Sequence, residues 1–64
     1  MKLTVRQEQV GKLLCLGKTD KEVAADLDLG LRTIHDHVIR LRKKLSARNR
    51  VHLVAKLARM ISPY

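Results

Sequence analysis

Cationic and hydrogen-bonding side chains along residues 30–45 have the clearest potential for chemistry in this chain. Read at helical spacing, this segment divides into an apolar stripe and an opposite, mostly cationic face. The stripe contains Ile34, Val38, Leu41 and Leu45, and the opposite face contains Arg32, Asp36, Ile39, Arg40 and Lys43. Arginines on such a face can bind phosphates and base edges, and an α-helix fits the major groove of B-DNA. A merely solvated cationic helix is the simpler alternative, and charge alone does not decide between them.

The other reactive side chains form no catalytic or metal-binding pattern. His35 and His37 are two residues apart and so diverge on a helix, and zinc would also need cysteines or carboxylates that converge with them. We expect His37 to be a half-buried packing residue. Cys15, the single cysteine, falls on an apolar helical face and is predicted to fill the core. The sequence has no glycine-rich phosphate loop and no paired carboxylates, so we predict no enzymatic activity, metal or cofactor.

Composition favours a small nucleic-acid-binding domain. The 64 residues include 14 Lys and Arg against 6 Asp and Glu, a formal charge of +8, which indicates a polyanionic partner. A domain of this size buries only about 60% of its unfolded surface, which favours oligomerisation. A single cysteine suits a reducing cytosol, and no apolar run approaches the roughly 20 residues that span a bilayer. Tyr64 is the only aromatic residue, so stacking on single strands is not expected and double-stranded DNA is the predicted partner.

Capping signals predict a single all-α domain over residues 1–64, with helices at about 5–16, 20–27, 31–45 and 50–61. Thr4 with Gln7 and Thr19 with Glu22 have capping-box spacing, and Asn49 is a good N-cap. Gly17 is placed to end the first helix. Residues 28–30 allow only a tight turn, which gives the spacing of a helix-turn-helix. Gly11 lies inside the first helix, where glycine is less favourable than alanine. Either another helix approaches closely there, or the residue is simply unfavourable for the helix.

A series of landmarks follows one another along the chain without gaps: Leu3-Thr4-x-Arg6, Val10, Gly17-x-Thr19-x-Lys21-Glu22-Val23-Ala24, Leu27-x-Leu29, Thr33-Ile34-x-x-His37, Lys44-Leu45 and Asn49-Arg50. On these landmarks, residues 3 to about 58 resemble the LuxR-type (GerE-like) helix-turn-helix domain of bacterial transcription regulators. Region four of bacterial sigma factors shares the first half. The last two landmarks and a full fourth helix favour the LuxR type.

The resemblance implies a four-helix domain whose third helix lies in the major groove and whose fourth helix forms a dimer on inverted half-sites. Because the chain begins at the first landmark, we expect a free-standing regulator, located in the cytoplasm on the nucleoid. The predicted partners are double-stranded DNA and a second copy of the chain. Another LuxR-type regulator and RNA polymerase are further candidates, and no membrane partner is expected.

The resemblance and the helical pattern together predict the residues that contact DNA. Four side chains are expected to read or border base edges: Arg32, His35, Asp36 and Arg40. Seven are expected to hold phosphates: Thr19, Lys21, Thr33, Lys43, Lys44, Arg48 and Arg50.

The last helix is apolar on two sides, which is more apolar surface than a small core can cover. One side carries Val51, Val54, Ala55 and Ala58, and the other carries Leu53, Leu57, Met60 and Ile61. One of these sides is predicted to form the dimer interface, and the sequence leaves open which one.

Several positions depart from the family's usual pattern. The family usually has glutamates at Gln7 and Gln9, leucine at Gly11 and serine at Gly30. It also places other residue types where this chain has Asp36 and Ile39. Asp36 lies four residues from both Arg32 and Arg40, so it can pair with them or accept a hydrogen bond from cytosine N4. Asp36 and Ile39 on this face, the apolar last helix and the expected absence of a sensor domain motivate an alternative function: an interaction protein that binds another LuxR-type regulator through its last helix and inhibits it.

Overall fold

Residues 3–61 are described by a computed structural model, and within them the chain is all-α, as predicted. The four helices are α1 (Val5–Cys15), α2 (Asp20–Leu27), α3 (Leu31–Lys44) and α4 (Arg50–Met60). Each begins at the expected residue, whereas α1, α3 and α4 end one residue before the expected positions. Met1, Lys2 and Tyr64 lie outside the described residues.

Side-chain caps fix the beginnings of three helices. The Thr4 hydroxyl accepts a hydrogen bond from the Gln7 backbone N–H at 3.1 Å, and Gln7 Oε1 accepts one from Thr4 N–H at 3.0 Å. Thr19 and Glu22 form the same capping box at the start of α2. Asn49 accepts from the N–H of His52 at 2.9 Å at the start of α4. Each such cap stabilises a helix by about 1 kcal/mol, and these predicted caps are confirmed.

Left-handed residues end the first three helices and produce the short connections. They are Gly17 (φ 82°), Asp28 (φ 54°) and Ser46 (φ 54°). At Asp28 the chain reverses at once, and the N–H of Leu29 donates to the carbonyl of Ala24 at 2.9 Å. Gly30 then caps α3 without a side-chain hydrogen bond. The connection between α2 and α3 is therefore three residues long, which gives the predicted helix-turn-helix.

The core lies where α1 packs on α4 and α2 packs on α3. It takes the predicted stripe of α3 and apolar residues from the other three helices: Val10, Leu14, Val23, Ala24, Ile34, Val38, Leu41, Leu53 and Leu57. Leu45 and Leu29 are partly buried against it. Because the apolar stripe of α3 is covered by the other helices, its opposite face is left exposed to solvent.

Gly11 is buried where Leu57 of α4 and Ile61, the residue after α4, pack against α1. A methyl group added there would lie 2.8 Å from Cδ1 of Ile61 and 3.1 Å from Cδ2 of Leu57. Of the two explanations for this glycine, the structure supports the close approach of another helix. The backbone cost of glycine inside α1 is thus offset by packing against α4.

Within residues 3–61, none of the helices is both long enough and apolar enough to cross a membrane.

Candidate nucleic-acid interface

The outer face of α3 (Arg32, Asp36, Ile39, Arg40 and Lys43) is exposed along its whole length. It lies opposite the buried residues Ile34, Val38 and Leu41, so the predicted division of this helix into two faces is confirmed. Thr33 is also exposed, near the start of the helix. Three cations and one carboxylate thus share a surface about one helix wide, with Ile39 as its apolar member.

Asp36 is not paired with its arginine neighbours. No nitrogen of a basic group within residues 3–61 lies within 4.0 Å of its carboxylate oxygens, so the pairing with Arg32 or Arg40 considered from the sequence is not formed. The carboxylate therefore faces solvent between two cationic side chains of its own helix.

A three-residue cluster around Asp20 was not predicted from the sequence. Asp20 is the first residue of α2, and its side chain is 20% exposed. Its carboxylate forms an ion pair with Arg50, the first residue of α4. The other carboxylate oxygen lies 3.2 Å from Nε2 of His35 on α3. Arg50 also donates to the carbonyl of Lys18 at 3.0 Å. The cluster ties the beginnings of α2 and α4 to the side of α3.

Two of the predicted DNA-contacting residues, Arg50 and His35, take part in this cluster through their side-chain nitrogens. The Arg50 guanidinium and the His35 imidazole both face Asp20, so each contacts its own chain through at least one nitrogen. In the sequence, Asp20 directly follows the predicted cap Thr19. The sequence gave no sign that the carboxylate would meet residues 15 and 30 positions further along the chain.

The remaining predicted phosphate contacts differ in exposure. Lys21 and Lys43 are exposed, and Thr19 is exposed while capping α2. Lys44 is half-buried, and its ammonium donates to Oε1 of Gln7 at 3.1 Å. Of the three lysines in this group, Lys21 and Lys43 are therefore the more exposed.

The connection from α3 to α4 positions Arg48. Arg42 donates to the carbonyl of Arg48 at 2.7 Å, and the backbone N–H of Arg48 donates to Nδ1 of His52 at 3.0 Å. Lys56 donates to the carbonyl of Leu45 at 2.7 Å, which satisfies an otherwise free group at the end of α3. These contacts fix the backbone of Arg48, and the residue itself remains exposed.

The pKa values of Cys15 and Lys18 are shifted, each with a clear structural cause. Burial raises the pKa of the Cys15 thiol, and its Sγ lies 4.0 Å from the carbonyl of Val54. The thiol therefore stays protonated and packs as a small apolar group. A hydrogen bond and ion pair with Asp26 raise the pKa of Lys18, which keeps that ammonium charged beside the start of α2. Among residues 3–61, no three histidine, cysteine or acidic side chains converge on a possible metal position.

The two apolar sides of α4 have different environments. Leu53 and Leu57 are fully buried in the core of the same chain, so they have no side-chain surface for a partner. Ile61 is half-buried beside Gly11. Val51 is 80% exposed and lies on the same side as the exposed Ala55 and Ala58 and the half-buried Val54. On the other side, Met60 is 43% exposed. The side that carries Val51 therefore has more exposed apolar residues than the side that carries Leu53.

Comparison with known proteins identifies relatives over almost the whole chain. A family model described as "Bacterial regulatory proteins, luxR family" matches residues 1–57. The chain is 36% identical over 58 residues to the spore germination protein GerE of Bacillus subtilis, covering 91% of this chain and 78% of GerE. It is 40% identical over 55 residues to the transcriptional regulatory protein UhpA of Escherichia coli, covering 86% of this chain but only 28% of UhpA. No solved structure gave a significant match.

Proposed function

The chain belongs to the luxR family of bacterial regulatory proteins, and from that premise we propose that it binds specific DNA sequences as a homodimer, with α3 in the major groove. Its general function is DNA-binding transcription regulation, the activity of this helix-turn-helix family. The observation that carries the finer proposal is the exposed outer face of α3 opposite a stripe that packs into the core. A helix held in this way is free to enter a groove along its length.

The arrangement of charge supports base contacts from the first turns of α3 and phosphate contacts from its end and from α2. In helix-turn-helix proteins the first turns of the recognition helix contact base edges. Arg32 and Asp36 lie there, with Arg40 one turn further on. Lys43 is at the end of α3, and Lys21 and Thr33 lie in the first turns of α2 and α3, where they are suited to phosphates on either side of the groove. All the proposed DNA contacts come from residues 19–50, so we propose that this domain binds without another domain.

The exposed side of α4 supports the dimer. Val51 is 80% exposed, and Ala55 and Ala58 are exposed one and two turns further along. Small residues on one side of a helix let a second α4 approach closely around a two-fold axis. Two α3 helices related by that axis would contact inverted half-sites, about 34–36 Å apart if they lie one helical turn from each other.

The alternative of an inhibitory interaction protein draws on the same side of α4. The exposed Val51 suits the equivalent helix of another luxR-family protein as well as a second copy. In that case α4 would form a mixed dimer, and the uncommon Asp36 and Ile39 would weaken DNA binding by one of its halves.

Duplex titration over a range of salt concentrations separates the two functions. The full chain would first select a site from a random-sequence duplex pool and would then be titrated onto that site and onto a random duplex. We expect steep salt dependence on both duplexes and at least about 1,000-fold preference for the selected one. Weak binding that does not distinguish the duplexes would overturn the proposal. Gel filtration with and without a luxR-family regulator then tests the mixed dimer.

A further inference from the structure

We propose that Asp36 and Ile39 together select adjacent pyrimidines in the major groove. Asp36 accepts a hydrogen bond from the N4 amino group of a cytosine, and Ile39 packs against the C5 methyl group of a thymine. This inference rests on the proposed function and specifies which bases α3 selects.

The positions of the two residues set the spacing of the bases. Both are exposed on the outer face of α3, three residues apart. That separation is about 4.5 Å along a helix axis, against about 3.4 Å between stacked bases. A helix lying along the groove thus brings the two side chains to neighbouring base pairs. Arg32, Arg40 and Lys43 surround them and offset the repulsion between the carboxylate and the phosphates.

Asp36 has the chemistry of a pure acceptor. An ionised carboxylate can only accept hydrogen bonds, so it repels the N7 and O6 acceptors of guanine and the O4 of thymine. The amino donors in the major groove belong to cytosine and adenine, and adenine places its N7 acceptor beside its amino group. Cytosine has a C–H group there instead, so it suits both carboxylate oxygens better. No basic nitrogen among residues 3–61 lies within 4.0 Å of this carboxylate.

Ile39 provides apolar surface where the groove has one apolar group. The residue is 48% exposed and lies among charged side chains. The C5 methyl of thymine is the only methyl group that unmodified bases present in the major groove. Burying one methyl group against Ile39 should strengthen binding about fourfold.

The neighbouring histidine is less available for base reading. Nε2 of His35 lies 3.2 Å from Oδ2 of Asp20, which draws the imidazole toward α2. The middle of the outer face is therefore left to Asp36 and Ile39.

Replacing thymine with uracil tests the Ile39 contact directly, because it removes only the methyl group. After a half-site is selected from random duplexes, each thymine in it is replaced in turn by uracil. One replacement should weaken wild-type binding about fourfold and leave the affinity of Ile39→Ala unchanged. Val5→Ala is the matched control, because Val5 is 76% exposed on α1 and should keep the wild-type sensitivity to uracil.

Substituting Asp36 tests the cytosine contact. Asparagine pairs with adenine N6 and N7, so Asp36→Asn should change the selected base beside that thymine from cytosine to adenine. The variant should also bind random duplexes more tightly, since a negative charge is removed. Glu8→Gln changes the charge by the same amount on α1 and should select the wild-type site.

The outcomes separate this inference from the proposed function. The inference is overturned if the wild type selects a half-site but binds it equally well with uracil in place of each thymine. It is also overturned if Asp36→Asn selects the same half-site as the wild type. Either outcome leaves sequence-specific binding intact. If no half-site emerges from the pool, the proposed function fails and the inference fails with it.

Discussion

Oδ2 of Asp20 lies 3.2 Å from Nε2 of His35, so the first residue of α2 is in contact with the side of α3. The same carboxylate is paired with Arg50, the first residue of α4. One side chain thus joins the helix proposed to read DNA to the helix that precedes it and to the helix proposed to form the dimer. We expect this cluster to fix the angle at which α3 projects from the domain.

Replacing Asp20 with alanine should destabilise the domain by about 1–2 kcal/mol, since it removes contacts to two helices and an acidic residue from the first turn of α2. Denaturant unfolding measures this change. Glu8→Ala is the matched control, because it breaks a pair with Lys12 at 3.8 Å that is largely exposed and joins two residues of one helix. Equal losses for the two variants would contradict the role assigned to Asp20.

Arg32 and Lys43 should contribute differently to DNA binding. Arg32→Ala should weaken binding to the selected duplex by about 1–3 kcal/mol and change binding to a random duplex less, because bidentate arginine contacts distinguish bases. Lys43→Ala should weaken binding to both duplexes alike and lower the salt slope by about one. Titrations of both variants at several salt concentrations measure these effects. An Arg32→Ala variant that keeps the full preference for the selected duplex would contradict a base contact by this residue.

Val51→Asp should abolish the homodimer without unfolding the chain. Val51 is 80% exposed, so a charge there costs the monomer little, whereas in an apolar interface an unpaired charge costs about 3 kcal/mol or more. Sedimentation should show a wild-type dimer and a variant monomer of unchanged helix content. Val5→Asp places the same charge on α1, at a residue 76% exposed, and should remain dimeric. A wild-type monomer at high concentration rules out the proposed dimer.

Glu22 should make the stability of α2 dependent on pH. The hydrogen bond from the Thr19 backbone N–H lowers the pKa of Glu22 below its ordinary value of 4.5. Because the pKa is lower in the folded state, this stabilisation is present above about pH 4.5 and is lost as the pH falls through the folded pKa. Glu22→Gln keeps an acceptor for the capping box and removes the titration.

Between about pH 6 and pH 3 the melting temperature of Glu22→Gln should therefore fall less than that of the wild type. The capping box of Thr4 and Gln7 is present in both proteins. Because the Gln7 amide does not titrate, this box adds no pH dependence to either profile. Parallel pH profiles of the two proteins would show that the Glu22 carboxylate adds no pH-dependent stability.

The local features of the fold could be predicted from the sequence because their signals lie within a few residues. Thr4 with Gln7, Thr19 with Glu22, and Gly17 each act through neighbouring backbone groups, and the stripe of α3 follows helical periodicity. Contacts between distant residues could not be predicted in this way. The meeting of Asp20, His35 and Arg50 depends on how three helices pack, and so does the burial of Leu53 and Leu57.

Gly11 is a second case in which a contact between distant residues could not be predicted from the sequence. The sequence identified a residue that breaks a local rule, yet only the packing of α4 against it supplies the reason. For the outer face of α3, the sequence established which residues lie together. It did not show that Asp36 is unpaired with its arginine neighbours in the part of the chain that the structure describes.

Amide chemical shifts of the isotope-labelled chain, titrated with its selected duplex, test the central claim most directly. If α3 enters the major groove, the largest changes should fall on residues 32–40, with smaller ones at residues 19–21 where α2 begins. A titration with a random duplex should move residues 19–21 and Lys43 but affect residues 32–40 less. Saturable binding that leaves the amides of α3 unchanged would contradict the docking proposed for this helix.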